Sequence, residues 1–306
     1  MSKRAQAYFF LLINTLAWGA FLPIVKLGFN DASITPYRYL FYRFVIAGIL
    51  LTPLVIYYLR KLRQPKKVVF KIILLEFLQT TLAMSLLYIG LERTSALETN
   101  LITMSSPIFI ILGGIFFLGE KQNKHEWLGL SLALLGTIVI TVEPLWQGKD
   151  NFNGSLSGNL LVLGYNVVTA VYFLLAKKHY RRIPKLFVSG ISFYLGAVSF
   201  ALLSLLEVGA SWTSLANAIS LDLSTPLVWG VILYAAIFGS IIGLTAYIKG
   251  QDGIEASEAS LFTYLQPAIY IPLGFLLLGE TTSLWQIITL VIIVLGVYIA
   301  SNKRKN

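Results

Sequence analysis

Long apolar runs separated by short polar stretches organise this chain. The first opens at Ala7 and continues to about Phe29, and others cover about 38–59, 68–91, 95–118, 125–142, 158–177, 186–206, 227–248, 256–278 and 284–301. Each holds roughly 17–25 residues, enough helix to cross a hydrocarbon core of ~30 Å. The pattern predicts an all-α integral membrane protein with ten transmembrane helices. The first run follows Lys3 and Arg4, as in a signal peptide. It is too long for a signal core and no clear small-residue cleavage site follows, so a retained helix is expected. The stretch from Glu207 to Pro226 reads as a surface loop, with Pro226 suited to the first turn of the next helix.

Two of these runs share one pattern. Ala96 to Glu120 and Ala256 to Glu280 each carry a proline inside an apolar run and end in Gly-Glu. At an offset of 160, Pro107 matches Pro267, Glu98 matches Glu258, Asn100 matches Ser260, Thr103 matches Thr263, Ser106 matches Gln266 and Glu120 matches Glu280, with no gap. A fixed-offset match of charge, polar positions and proline indicates an internal duplication. The expected organisation is a first repeat over 7–142 (spans one to five), an external linker over 143–157 and a second repeat over 158–301 (spans six to ten). An odd number of spans per copy inverts the second copy relative to the first, the usual basis of alternating access in secondary transporters.

Composition adds the solvent and the orientation. Apolar residues make up 57% of the 306 and charged residues only 12%, against about 25% charged in soluble domains. The net charge of +10 need not mean nucleic acid. With the N-terminus inside, nineteen Lys and Arg fall on the inner side, three outside (Arg38, Arg93 and Lys149) and two, Lys26 and Arg43, within spans. That bias predicts N-in and C-in topology in a plasma membrane, the inner one if the cell is Gram-negative, with anionic lipid as partner. There is no cysteine, so no disulfide or thiolate metal site. His125 and His179 read as solvated loop residues. Neither a metal nor a cofactor is expected.

Polar residues inside spans are the functional candidates. Asn100, Thr103 and Ser106 are three apart on span four, and Ser260, Thr263, Gln266 and then Tyr270 follow on span nine. Such spacing keeps each set on one helix face. These faces either line a shared cavity or hydrogen-bond to neighbouring helices. Pro107 and Pro267 should kink their spans and free a carbonyl for substrate or water. Asn14, Trp18 and Lys26 share a face of span one, and Trp18 is too deep for an interfacial belt. Lys26 either snorkels outward or pairs with Glu98 or an anionic substrate. Arg43 lies inside span two as an ion-pair or ligand candidate, and Tyr165, Asn166, Thr169 and Tyr172 mark span six. Glu76 is the one carboxylate well inside a span and the candidate for proton coupling; pairing with Lys71 or bonding to a neighbouring helix is the competing role. Gly239 and Gly243, and Ser192 with Gly196, read as close-packing pairs.

These residues resemble a known family. Ala17, Trp18, Gly19, Phe21 and Lys26, then Tyr42, Arg43, Phe44, Ala47 and Gly48, and the twice-repeated proline-to-Gly-Glu stretch are similar to the drug/metabolite transporter superfamily, EamA-like branch. Span six departs from span one, with Thr169 and Ala170 near the place of the Trp-Gly pair. The resemblance implies ten helices in a five-plus-five inverted repeat around a central cavity. It also implies secondary transport, often export, of small metabolites such as amino acids. A lipid flippase or a membrane-embedded enzyme is the alternative, but no catalytic set stands out and no phosphate loop points to ATP. A small-molecule substrate, a monomer or homodimer and no enzymatic activity are expected. Reporters fused after Arg63 and Arg182 are expected to read cytoplasmic and one near Asp150 external; an external signal at Arg182 overturns the inversion.

Overall fold

The structure is a computed structural model that describes residues 3–32, 34–61, 66–119, 123–146, 155–180, 183–251, 254 and 262–301. No strand occurs among them. Eight helical spans among the described residues are long and apolar enough to cross a membrane, and two shorter apolar helices, Pro267–Leu278 and Leu284–Ile299, follow. Span nine, expected over 256–278, is described only from Phe262 onward.

Among the described residues, three spans are interrupted beside a proline and two by π-helical segments. Helices α1 (Lys3–Gly19) and α2 (Phe21–Asp31) form one span broken at Ala20. Pro23 has no N–H to give the carbonyl of Gly19 and its ring crowds it. Helix α3 (Pro36–Lys61) is continuous. The next span runs as α4 (Lys66–Glu76), a π-helical segment (Phe77–Ala83) and α5 (Met84–Arg93).

At Pro107 the structure goes further than the kink expected. Helix α6 (Ala96–Thr103) ends, and α7 (Ser106–Leu118) starts afresh with the proline in its first turn, where the missing N–H costs nothing. Pro267 repeats this between a 3₁₀ turn (Phe262–Leu265) and a helix over Pro267–Leu278. Both helices end on glycines in the left-handed region, Gly119 at φ 66° and Gly279 at φ 64°, a conformation that strains any residue with a Cβ.

The remaining elements are α8 (Lys124–Trp146), α9 (Ser155–His179), α10 (Lys185–Glu207) and α11 (Trp212–Ser224). Then come α12 (Pro226–Leu233), a second π segment (Tyr234–Ile242), α13 (Gly243–Gln251), α14 (Pro267–Leu278) and α15 (Leu284–Ser301). Helix α11 occupies the stretch expected as a loop. Trp212, Leu215, Ala216 and Ile219 fall at helical spacing, a short amphipathic signal hidden among polar neighbours. Asp222 then ties it to the bundle by accepting bonds from Arg38 Nε (2.7 Å) and Tyr42 Oη (2.9 Å).

Packing repeats under exchange of the two halves. Helix α3 lies along α10, and α8 along α15. The pairing of α1 with α13 is matched by α9 with α5, and that of α14 with α2 by α7 with α9. The π segments follow the same relation: shifted by 160 positions, Tyr234–Ile242 falls on 74–82 and overlaps Phe77–Ala83.

Close approach of α1 and α2 to the second π segment needs glycine. A Cβ on Gly239 would stand 2.1 Å from the Phe21 ring and one on Gly243 2.5 Å from Trp18 Nε1, whereas one on Gly230 would meet nothing. Gly239→Ala is therefore expected to destabilise the detergent-solubilised protein by roughly 1–3 kcal/mol. Gly230→Ala should leave it unchanged or stabilise it by about 0.5–1 kcal/mol. Thermal unfolding of the two variants side by side checks both signs.

Candidate functional site

A cavity of about 690 Å³ lies between the halves, lined by α4, α7, α9, α10 and α13 together with Trp18. Its described lining runs to the end of the bundle where α9 and α13 finish, near Tyr180 and Gln251, and where α10 begins, and this end is taken as its mouth. The walls are mostly apolar. The polar groups converge on Glu76, which is only 2% exposed. Tyr172 Oη and Tyr180 Oη each donate to its Oε1 at 2.8 Å. Ser192 Oγ bonds Oε2 and also reaches the Val188 carbonyl at 2.9 Å. Lys71 lies on the exposed face of α4, and the partners of Glu76 are hydroxyls of α9, of Tyr180 just past it and of α10.

That hydroxyl set serves either protonation state. A carboxylate only accepts, so an ionised Glu76 takes all three hydroxyl hydrogens. A neutral Glu76 donates from Oε2 to Ser192, which turns its own hydrogen to the Val188 carbonyl. One hydroxyl rotation separates the two arrangements, and neither leaves a buried group unpaired.

Across the cavity, Trp18 and Tyr247 have ring centroids 5.4 Å apart, and Trp18 Nε1 donates to the Gly239 carbonyl at 3.0 Å. Asn14 Nδ2 donates to the Gly243 carbonyl at 3.1 Å. Both carbonyls belong to or border the second π segment, whose register frees backbone acceptors. Trp18 thus lines the cavity and pins span one to span eight, while Asn14 sits buried behind it.

The stripe of span four is placed elsewhere. Thr103 Oγ1 bonds its own helix at the Asn100 carbonyl, 2.9 Å away, and Asn100 is buried. Ser106 Oγ donates to Asn166 Oδ1 at 2.6 Å, and Asn166 Nδ2 donates to the Ile102 carbonyl at 2.6 Å and to Ser105 Oγ at 3.0 Å. The carbonyl beside the Pro107 break is thus taken by Asn166. Thr169 and Gln266 are buried, Tyr165 packs against the core, and the buried Tyr270 hydroxyl has no hydrogen-bond partner among the described residues. Glu258 lies outside the described residues, as does the side chain of Thr263.

The end opposite the mouth is closed by polar contacts. Glu280 receives the backbone N–H groups of Ala96 (2.8 Å) and Leu97 (3.2 Å) at the start of α6. Glu98 forms the capping box of that same turn with Ser95 and accepts from Thr94. Lys26 Nζ donates to the carbonyls of Leu91 (2.8 Å) and Glu92 (2.7 Å). Ser283 Oγ donates to Glu143 Oε1 at 2.7 Å. Arg43 is held between Ser240 Oγ (2.9 Å), Tyr88 Oη (2.6 Å) and the Phe21 ring, whose centroid is 4.9 Å away. A guanidinium facing an aromatic ring is stabilised by cation–π attraction.

The family model described as "EamA-like transporter family" matches residues 5–142 and 156–302. The chain belongs to the EamA-like transporter family. Among its relatives, the uncharacterized transporter YdfC of Bacillus subtilis is 27% identical over 290 residues, covering 94% of this chain and 89% of that protein. The uncharacterized transporter YetK of the same organism is 26% identical over 242 residues, 78% of this chain and 70% of its own. The WAT1-related protein At3g02690, chloroplastic, of Arabidopsis thaliana is 24% identical over 290 residues, 94% of this chain and 68% of its own. A crystal structure shares the fold at TM-score 0.63 and 19% identity, covering 97% of this chain and 96% of that one. This EamA-like chain is thus a multi-pass membrane protein of a transporter family.

Two contributors were not singled out from sequence. Tyr180 lies beyond span six as expected over 158–177 and just past the end of α9, yet it reaches Glu76 beside Tyr172. Ser192 was read only as a small packing residue. The role of Asn166 is testable apart from transport. Asn166→Leu removes one donor from the Ile102 carbonyl, which also accepts from Ser105, and the buried bonds to Ser105 Oγ and Ser106 Oγ; it is expected to destabilise by roughly 1–3 kcal/mol, measured by unfolding in detergent. Per-molecule activity of the surviving protein should hold.

Proposed function

We propose that this chain is a secondary transporter, working as an exporter, that moves a small polar metabolite by alternating access around the cavity between its two repeats. The observation that carries this reading is the pairing of a 690 Å³ cavity, open at one end of the bundle, with a polar seal at the other, made by Glu280 on α6 and Lys26 on the end of α5. With N-in topology the mouth is cytoplasmic and the seal external, which gives an inward-facing state in a plasma membrane. The volume falls within the ~300–1,000 Å³ usual for small-molecule sites. The exchange-symmetric packing supports a rocking motion, because an arrangement formed by one half can be formed by the other.

The test is a proteoliposome screen over amino acids and related amines, with and without a pH gradient. Flux of at least one compound above protein-free vesicles is expected; none across the screen overturns the reading. Trp18→Ala should lower that flux by up to about tenfold, the scale of losing one aromatic contact of ~0.5–1.5 kcal/mol, with membrane insertion near normal. Trp18→Phe, which keeps a ring but not the bond to Gly239, separates substrate contact from packing: retained flux supports contact.

A further inference from the structure

The lining of the cavity narrows what it can carry, on the reading that it is a transport site. We propose that it binds a monovalent organic cation with an apolar or aromatic body, and that this cation and a proton occupy the Glu76 carboxylate in turn.

The charge inventory comes first. Among the described residues that line the cavity, Glu76 is the one carboxylate, and no lysine or arginine stands beside it. A zwitterion or an anion would bring a carboxylate into an apolar enclosure with no cationic partner, which costs several kcal/mol. A cation meets the opposite sign. The rest of the wall suits the body of such a molecule: Trp18, Tyr172, Tyr180 and Tyr247 offer ring faces that attract a cationic head as well as apolar surface.

Hydrogen bonding supplies the exchange. Glu76 Oε1 keeps both tyrosine hydroxyls in either state. At Oε2, the O–H bond breaks when the proton leaves for cavity water, and Ser192 turns its hydrogen from the Val188 carbonyl to the carboxylate. Reprotonation reverses both moves, and no other reactant is needed. The groups that face Glu76 from its neighbours are Tyr172 of α9, Tyr180 just past its end and Ser192 of α10, with Tyr247 and Gln251 across the cavity. None of these bears a charge near neutral pH, so the binding site switches between neutral and singly negative. One cation moved out for one proton moved in transfers no net charge.

The probe is benzyltrimethylammonium, whose charge is independent of pH, with phenylalanine as the zwitterionic control. The purified protein is expected to bind the ammonium probe and not phenylalanine. Affinity should fall by up to about tenfold per unit as the pH is lowered, because proton and cation exclude each other. Glu76→Gln should abolish that pH dependence and Glu76→Asp should restore it, with thermal unfolding confirming that both variants are folded. In proteoliposomes a pH gradient should drive the probe uphill, and clamping the membrane potential should leave the flux unchanged. Binding of the probe that ignores pH, or that survives Glu76→Gln with its pH dependence intact, overturns the proposal. Preferential transport of amino acids, with Glu76→Gln matching the parent protein, also overturns it while leaving the transport reading in place. Loss of all flux in the wider screen removes the transport reading itself.

Discussion

A backbone amide or carbonyl in hydrocarbon must find its partner inside the protein, and this requirement decides where the spans of this chain meet. An unbroken helix satisfies it alone. The broken ones here do not, and at several breaks a side chain from another span bonds the backbone. Asn166 of α9 takes the Ile102 carbonyl below Pro107. Trp18 and Asn14 of α1 take the Gly239 and Gly243 carbonyls at the second π segment. Lys26 takes the last carbonyls of α5 and Glu280 the first amides of α6. An unpaired group in the membrane costs several kcal/mol, more than the ~0.6 kcal/mol average of an interhelical bond between polar side chains. The breaks therefore fix the docking of the spans more firmly than packing of leucine on leucine could.

That constraint explains which features could be read along the chain. Apolar run lengths gave the spans, because lipid imposes a length. The duplication was visible because proline, glycine and glutamate act through the backbone, and a backbone device keeps its position when surrounding apolar residues drift. The π segments were not visible: Phe77–Ala83 and Tyr234–Ile242 contain no proline, and Gln79, Thr80 and Thr81 in the first and Gly239 and Ser240 in the second are polar or small residues that an unbroken membrane helix also carries. What the sequence does not display is the tight approach of Phe21 and Trp18 at Gly239 and Gly243, in and just after the second of them.

Site residues divided along the same line. Three-residue spacing put Asn100, Thr103 and Ser106 on one face only while the helix stayed continuous, and the break after Thr103 ends that relation. Periodicity names a face and is silent on what it meets. Glu76 stood out because a buried carboxylate in a span is costly wherever it points. Its partners Tyr172, Tyr180 and Ser192 come from α9, the residue just after it and α10, and no local pattern links their positions to position 76.

The two halves share the devices that move and differ in the groups that line the cavity. Both have a broken proline span, a left-handed glycine before a glutamate, and a π segment at equivalent depth. On the proposed alternating-access reading those are needed in duplicate, since each half would do in one state what the other does in the next. The cavity groups obey no such demand. At the 160-residue offset Glu76 is replaced by Ala236, and near the place of Trp18 the second half has Thr169 and Ala170. A second carboxylate at Ala236 would add a like charge to a low-dielectric enclosure, where repulsion between charges is least screened. One acidic group on one side is the arrangement that lets a single positive charge, proton or cation, occupy the centre at a time.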